Sequence, residues 1–163
     1  MKDPVKLIRR IILLVWALWS AVVTLSNVFD AFRSLGLLPD WFKFVSGNFG
    51  YIQAATSIYI FPVWLNAVLF AGVIIWEALM SWNFFKAFAG LKNGIEKLIY
   101  KPFVFGLSLF GGFLVTDELL IAYDRLGSIE QTHLAVFVAL MVSLLTVTLL
   151  PGVYSKSKDE IKS

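Results

Sequence analysis

The chain has 163 residues, 59% of them hydrophobic and 15% charged, with a mean hydropathy of +0.80. A soluble domain carries roughly 45–50% apolar and about 25% charged residues, so this much apolar surface exceeds what one small soluble core buries, and lipid is the expected solvent. The lack of cysteine excludes disulfides, thiolate metal sites and cysteine nucleophiles. The net charge of +3 does not point to nucleic acid, because the basic residues flank apolar runs.

Four such runs follow one another. The first, 11–29, comes directly after Arg9 and Arg10. The second, 63–85, is interrupted only by Glu77, and the fourth covers 134–155. A bilayer core needs about 20 helical residues, and these three runs satisfy it. The third, 102–116, has only 15 residues, so its helix is expected to carry Asp117 and Glu118 below the surface and to continue through 119–123. The expected fold is all-α. It is a four-transmembrane-helix bundle forming one membrane domain over 1–163, with spans at 9–29, 62–86, 102–126 and 129–151. The first span resembles a signal peptide only in its basic start. Its apolar run is too long and lacks a clear A-x-A site, so Arg9 and Arg10 read as an inner-face anchor.

Basic residues give the orientation. With the N-terminus inside, 11 lysines and arginines fall on the inner side and only Arg33, Lys43 and Arg125 on the outer side. The positive-inside rule then places both termini in the cytoplasm. Tyr100 and Tyr154 mark the inner edge, and Trp41, Tyr51, Tyr59, Trp64 and Tyr123 the outer one.

The first outer loop, 30–61, is the one long connection. Its aromatic residues argue for interfacial helical pieces rather than disorder, with a turn at 46–50. An ordered loop of this length is more often functional or partner-binding than a passive connector. Ser128 and Gln131 have capping-box spacing after Gly127, which predicts a tight hairpin with helix three ending near Leu126 and helix four starting at Ile129. Pro151 and Gly152 are expected to end helix four.

Polar residues inside the spans define two candidate sites. The intramembrane one contains Glu77 with Asn66 on the same helix face, plus Ser20 and Ser143 at similar depth. Glu77 held neutral and hydrogen-bonded to Ser20 or Ser143 is one reading; a proton-handling or ligand-binding Glu77 is the other. Ser108, Gly112 and Thr116, and likewise Ala135, Ala139, Ser143 and Thr146, form small-residue ridges expected to face the bundle interior, and Gly111 and Gly112 are expected to leave space near Glu77. The second site is an outer polar pocket of Asn27, Asp30, Asp117, Glu118, Glu130 and His133, suited to a cation or to the polar head of a quinone or lipid. Its bland alternative is a solvated acidic rim paired in part with Arg33 and Arg125. Glu130 and His133 have E-x-x-H spacing, but one histidine is too few for a dedicated transition-metal site, and no metal is expected. No Walker A, dinucleotide, zincin or G-x-S-x-G motif is present, and no catalytic residue is assigned.

Asn27, Val28, Phe29 and Asp30 at the end of span one, Phe44 and Val45 in the loop, Trp76, Glu77 and Ala78 in span two, and Asp117 and Glu118 in span three form a pattern. It resembles a family of small bacterial four-span integral membrane proteins, a domain of unknown function. The loop departs from that family at 46–59. The resemblance implies the four-span topology in a bacterial cytoplasmic membrane, lends weight to Glu77, and implies no reaction. The function expected from the sequence is that of a non-catalytic accessory subunit of a larger membrane complex, with the lipid bilayer and other membrane subunits as partners. The alternative is a small proton- or cation-coupled carrier or a quinone- or lipid-binding module. No cofactor is expected; a quinone or lipid is the candidate ligand.

Overall fold

The computed structural model describes residues 3–92, 96–120 and 129–160, with side chains through 91, from 97 to 120 and from 129 to 151. Five α-helices make up the described chain: α1 (Pro4–Ser34), α2 (Asn48–Thr56), α3 (Val63–Lys92), α4 (Tyr100–Leu119) and α5 (Ile129–Glu160). Among the described residues there is no strand. Helices α1, α3, α4 and α5 are each long and apolar enough to cross a membrane. The hairpin expected around Tyr123, Arg125, Leu126, Gly127 and Ser128 lies outside the described residues.

Helix α1 is longer than its apolar run at both ends because charges limit membrane burial, not helix formation. The Asp3 carboxylate accepts from the backbone N–H of Val5 at 3.0 Å and of Lys6 at 3.4 Å, with Pro4 in the first position. The other end closes on Gly36 at φ 72°, a left-handed position. The Leu37 N–H bonds the Phe32 carbonyl and the Gly36 N–H that of Arg33, each at 2.9 Å, which is the Schellman pattern.

Helix α4 begins earlier than expected. It is described as far as Leu119, the expected continuation over 121–126 lying outside the described residues, and it starts at Tyr100, two residues before Pro102, giving 20 residues in all. A proline in the first turn costs no intrahelical bond, so it does not delay the start. Pro151 likewise does not end α5, which continues to Glu160. A proline inside a helix loses one backbone bond and bends it, and the helix resumes beyond it.

The core is built from α1, α3 and α4 with one edge of α5. Leu13 and Ala17 meet Met80, Phe84, Ala87 and Leu91, then Phe103, Leu109 and Phe110, then Leu140 and Val147. Aromatic rings fill it: Trp16 stacks on Phe84 at 6.2 Å, and Phe84 meets Phe103 edge-on at 5.1 Å. Helices α1 and α3 approach closely enough for the Ser81 hydroxyl to donate to the Ala17 carbonyl at 3.0 Å. Trp76 Nε1 donates to the Phe105 carbonyl at 2.9 Å and joins α3 to α4. Trp16 Nε1 donates to Ser143 Oγ at 2.9 Å and joins α1 to α5.

The small-residue ridge on α4 does not face inward as expected, and that on α5 does so only at its Ser143 and Thr146 end, where Ser143 meets Trp16. Ser108, Gly112 and Thr116 are exposed on α4, and Ala135 and Ala139 on α5. Phe103, Leu109 and Phe110 bury far more apolar area than serine, glycine or threonine, so they take the inner face. The Thr116 hydroxyl satisfies itself on the Gly112 carbonyl at 2.8 Å. The glycine that matters for packing is Gly106. A Cβ there would lie 2.9 Å from Leu140 Cδ1 and 3.2 Å from the Met80 sulfur, whereas one on Gly112 would meet nothing. Gly106→Val is therefore expected to destabilise the bundle by about 1–3 kcal/mol through overpacking, and Gly112→Val to be nearly neutral. Unfolding of the two variants in detergent, followed by tryptophan fluorescence, checks the contrast; equal losses would contradict this packing.

Candidate functional site: a buried polar clamp

At the end of the bundle opposite Arg9 and Arg10, a hydrogen-bonded series links the helices to the long loop. Asn27 on α1 is fully buried, and Asp30 and Glu77 nearly so. Asn27 Nδ2 donates to Glu77 Oε2 at 2.7 Å. Asn27 Oδ1 accepts from Asn48 Nδ2 at 2.8 Å. The Asn48 N–H donates to Ser46 Oγ, and the Ser46 hydroxyl donates to Asp30 Oδ2, both at 3.1 Å. Asp30 Oδ2 also accepts from the Phe49 N–H at 2.8 Å. Two carboxyls, two amides and a hydroxyl from α1, α3 and the loop thus form one connected group.

Each loop residue reaches its place for a local reason. Phe29 holds the Phe42 ring at 5.1 Å and the Phe44 ring at 6.0 Å, which folds the chain after α1 back along that helix. Arg33 Nη1 donates to the Phe42 carbonyl at 3.4 Å, and the Ser46 N–H to the Ser26 carbonyl at 3.3 Å. Gly47 then turns at φ 78° and starts α2. The turn expected over 46–50 is reduced to this one left-handed residue, with Asn48 already helical. Gly47 has no capping side chain, and Asp30 supplies the missing acceptor from another helix. The far end of α2 is tied down by Thr56, whose hydroxyl donates to Asn66 Oδ1 on α3 at 2.8 Å. Tyr59 reaches the Leu119 carbonyl of α4 at 3.0 Å.

The partner of Glu77 differs from both candidates expected from depth. The Ser20 hydroxyl donates to the Trp16 carbonyl at 2.6 Å, and Ser143 accepts from Trp16. Counting residues from the basic end puts Asn27 well beyond Glu77. Helices α1 and α3 are antiparallel, with Ala17 opposite Ser81 and Arg10 opposite Phe88. In that register Glu77 is level with Ala21, and Asn27 lies six residues, about 9 Å, further along. Side chains lean toward the N-terminus of their own helix. Asn27 therefore leans toward the basic end and Glu77 toward the loop end, and the two close the offset between them.

The expected outer pocket is divided. Asn27 and Asp30 belong to the clamp. Asp117 on α4 pairs instead with His133 on α5, Nδ1 to Oδ2 at 2.6 Å, and the His133 ring stacks on Phe113 at 4.7 Å. Among the described residues no hydrogen bond connects this pair to the clamp. Glu118 is exposed, and Glu130 is half-buried one turn before His133. No group of three or more histidine or acidic side chains placed to hold a metal ion occurs among the described residues. Ser46 and Asn48 are the members that sequence reasoning missed. Their signal was faint: two polar residues flanking a glycine in an otherwise apolar loop.

No family model, curated protein or solved structure matches this chain. The described fold is compatible with a multi-pass helical membrane protein, and its role is read from its own residues.

Asn27 carries two of the clamp's bonds and Asn48 reaches it with one side-chain bond. Asn27→Ala, which strands both Glu77 and the Asn48 amide, is expected to cost about 2–4 kcal/mol, and Asn48→Ala about half as much. Denaturant unfolding in detergent gives the difference. Amide exchange across 48–56 should rise in both variants; unchanged protection there would mean that the clamp does not hold α2.

Proposed function

We propose that this chain is a non-catalytic integral membrane protein that serves as an accessory subunit of a larger membrane-protein complex. The observation that carries the reading is a loop that is clamped from within while its large apolar side chains face outward. Leu35 is 70% exposed, Trp41 75% and Ile60 88%. Ile60 even holds a left-handed φ of 54°, unusual for a β-branched residue. A loop held by buried bonds loses little conformational freedom on association, which favours binding. In this reading the basic residues place both termini in the bacterial cytoplasm and the clamped loop with α2 at the outer interface, where Trp41, Tyr59 and Trp64 meet headgroups and a neighbouring subunit.

The chemistry of the clamp supports a holding role over a conducting one. Between Glu77 and Asn48 the link is the Asn27 amide, which donates on one side and accepts on the other. A side-chain amide offers hydrogen bonds but is not an acid or base in the physiological range. A second reading, a carrier or quinone- or lipid-binding module, draws on the His133–Asp117 pair beneath Phe113. It also draws on an apolar groove of about 680 Å³ along α5 lined by Leu134, Ala135, Val138, Ala139 and Val142.

A photo-crosslinking residue at Trp41 in native membranes is expected to yield one discrete heavier adduct, and the same residue at Val142 none. Glu77→Gln keeps an acceptor for Asn27, so the Trp41 adduct should persist at near wild-type yield. A Trp41 probe that captures no protein, combined with a pH-dependent transport or binding signal abolished by Glu77→Gln, would favour the second reading.

A further inference from the structure

Arg9 and Arg10 read from the sequence as anchors, yet both turn into the bundle. Arg9 is only 6% exposed and is engaged there. Arg10 is half-buried, with its guanidinium 4.9 Å from the centre of the Phe88 ring. Its Nε is buried with no hydrogen-bond partner. The Arg10 guanidinium lies over an aromatic face, and among the described side chains no carboxylate is paired with it. Asp3, the nearest acid in sequence, is occupied at the start of α1 by the Val5 and Lys6 N–H groups.

More positive charge converges on the same place. Lys6 is exposed one helical turn before Arg10, on the same face of α1. The Arg10 guanidinium lies over the Phe88 ring at the seam between α1 and α3. The end of this seam therefore carries two basic side chains one turn apart, one of them seated on an aromatic ring.

We propose that Arg10 and Lys6 bind the phosphate of an anionic phospholipid at this end of the α1–α3 seam. The proposal rests on the membrane-spanning character of the helices, not on the accessory-subunit reading. The Arg10 guanidinium is planar and suits phosphate oxygens, the Lys6 ammonium adds a mobile point charge, and the exposed Leu7 beside them meets the acyl chains. Basic residues at the cytoplasmic surface attract anionic headgroups, and basic pockets between spanning helices recognise them.

The test is native mass spectrometry of the full chain in detergent with phosphatidylglycerol or phosphatidylcholine at equal concentration. The wild type is expected to retain phosphatidylglycerol preferentially. Arg10→Gln and Lys6→Gln should each lower that preference about fivefold, and the double variant about 25-fold. Lys43→Gln, in the loop at the other end, should leave it intact. Because Lys6 is exposed, Lys6→Gln keeps the fold and reads the site even if Arg10→Gln does not fold. Unchanged preference in folded Lys6→Gln and Arg10→Gln would overturn the proposal. So would inorganic phosphate displacing the lipid at equal concentration, since that would mark a site for the free anion.

Discussion

A polar side chain inside an apolar bundle is costly without a partner there, because apolar surroundings supply none. The Glu77–Asn27 bond is where that requirement shapes this protein most. Glu77 lies deep in α3, and the group that meets it is the amide of Asn27, whose other end is left to accept from Asn48. The loop is therefore fixed by a need that originates in the spanning helices. Asp30 works in the same way from its own turn of α1, accepting at the start of α2 where Gly47 offers no cap. A 9-residue helix is marginal alone, and α2 persists because both of its ends are held from outside.

The clamp depends in turn on how closely α1 and α3 approach. The Ser81 bond to the Ala17 carbonyl fixes their separation, and stacked aromatic rings fill the space around it. On the other side, Gly106 lets Leu140 into the core and draws α5 against α4. Over its apolar stretch, Ile129–Pro151, helix α5 is the least buried of the four. Its polar ties are at specific points, Trp16 to Ser143 and Asp117 to His133.

The exposed apolar loop and the inward-turned arginines lie at the two ends rather than in the middle. One end carries the clamped loop with its outward Leu35, Trp41 and Ile60. The other carries the inward-turned Arg9 and Arg10. The centre is a packed core that holds these surfaces in fixed relation.

Much of this was legible in the residues. Three apolar runs of 19 to 23 residues and one of 15 predict four helices long and apolar enough to span a membrane, because a bilayer core demands about 20 residues. Glu77, Asn27, Asp30, Asp117 and His133 were recognisable as costly polar groups for the same reason. Which of them meet was not legible. Residue counting measures position along a helix but not the lean of a side chain, so Asn27 and Glu77 appeared at different levels although they bond. Small residues permit close approach without saying which face will be used, so Gly112 looked like a packing site and Gly106 did not. Ser46 and Asn48 acquired their roles only when Phe42 and Phe44 folded back on Phe29. The sequence by itself determined that four helices would be long and apolar enough to span a membrane, since that follows from composition over long windows. The tertiary structure decided the polar partners, which depend on a few ångströms of helix register and side-chain direction.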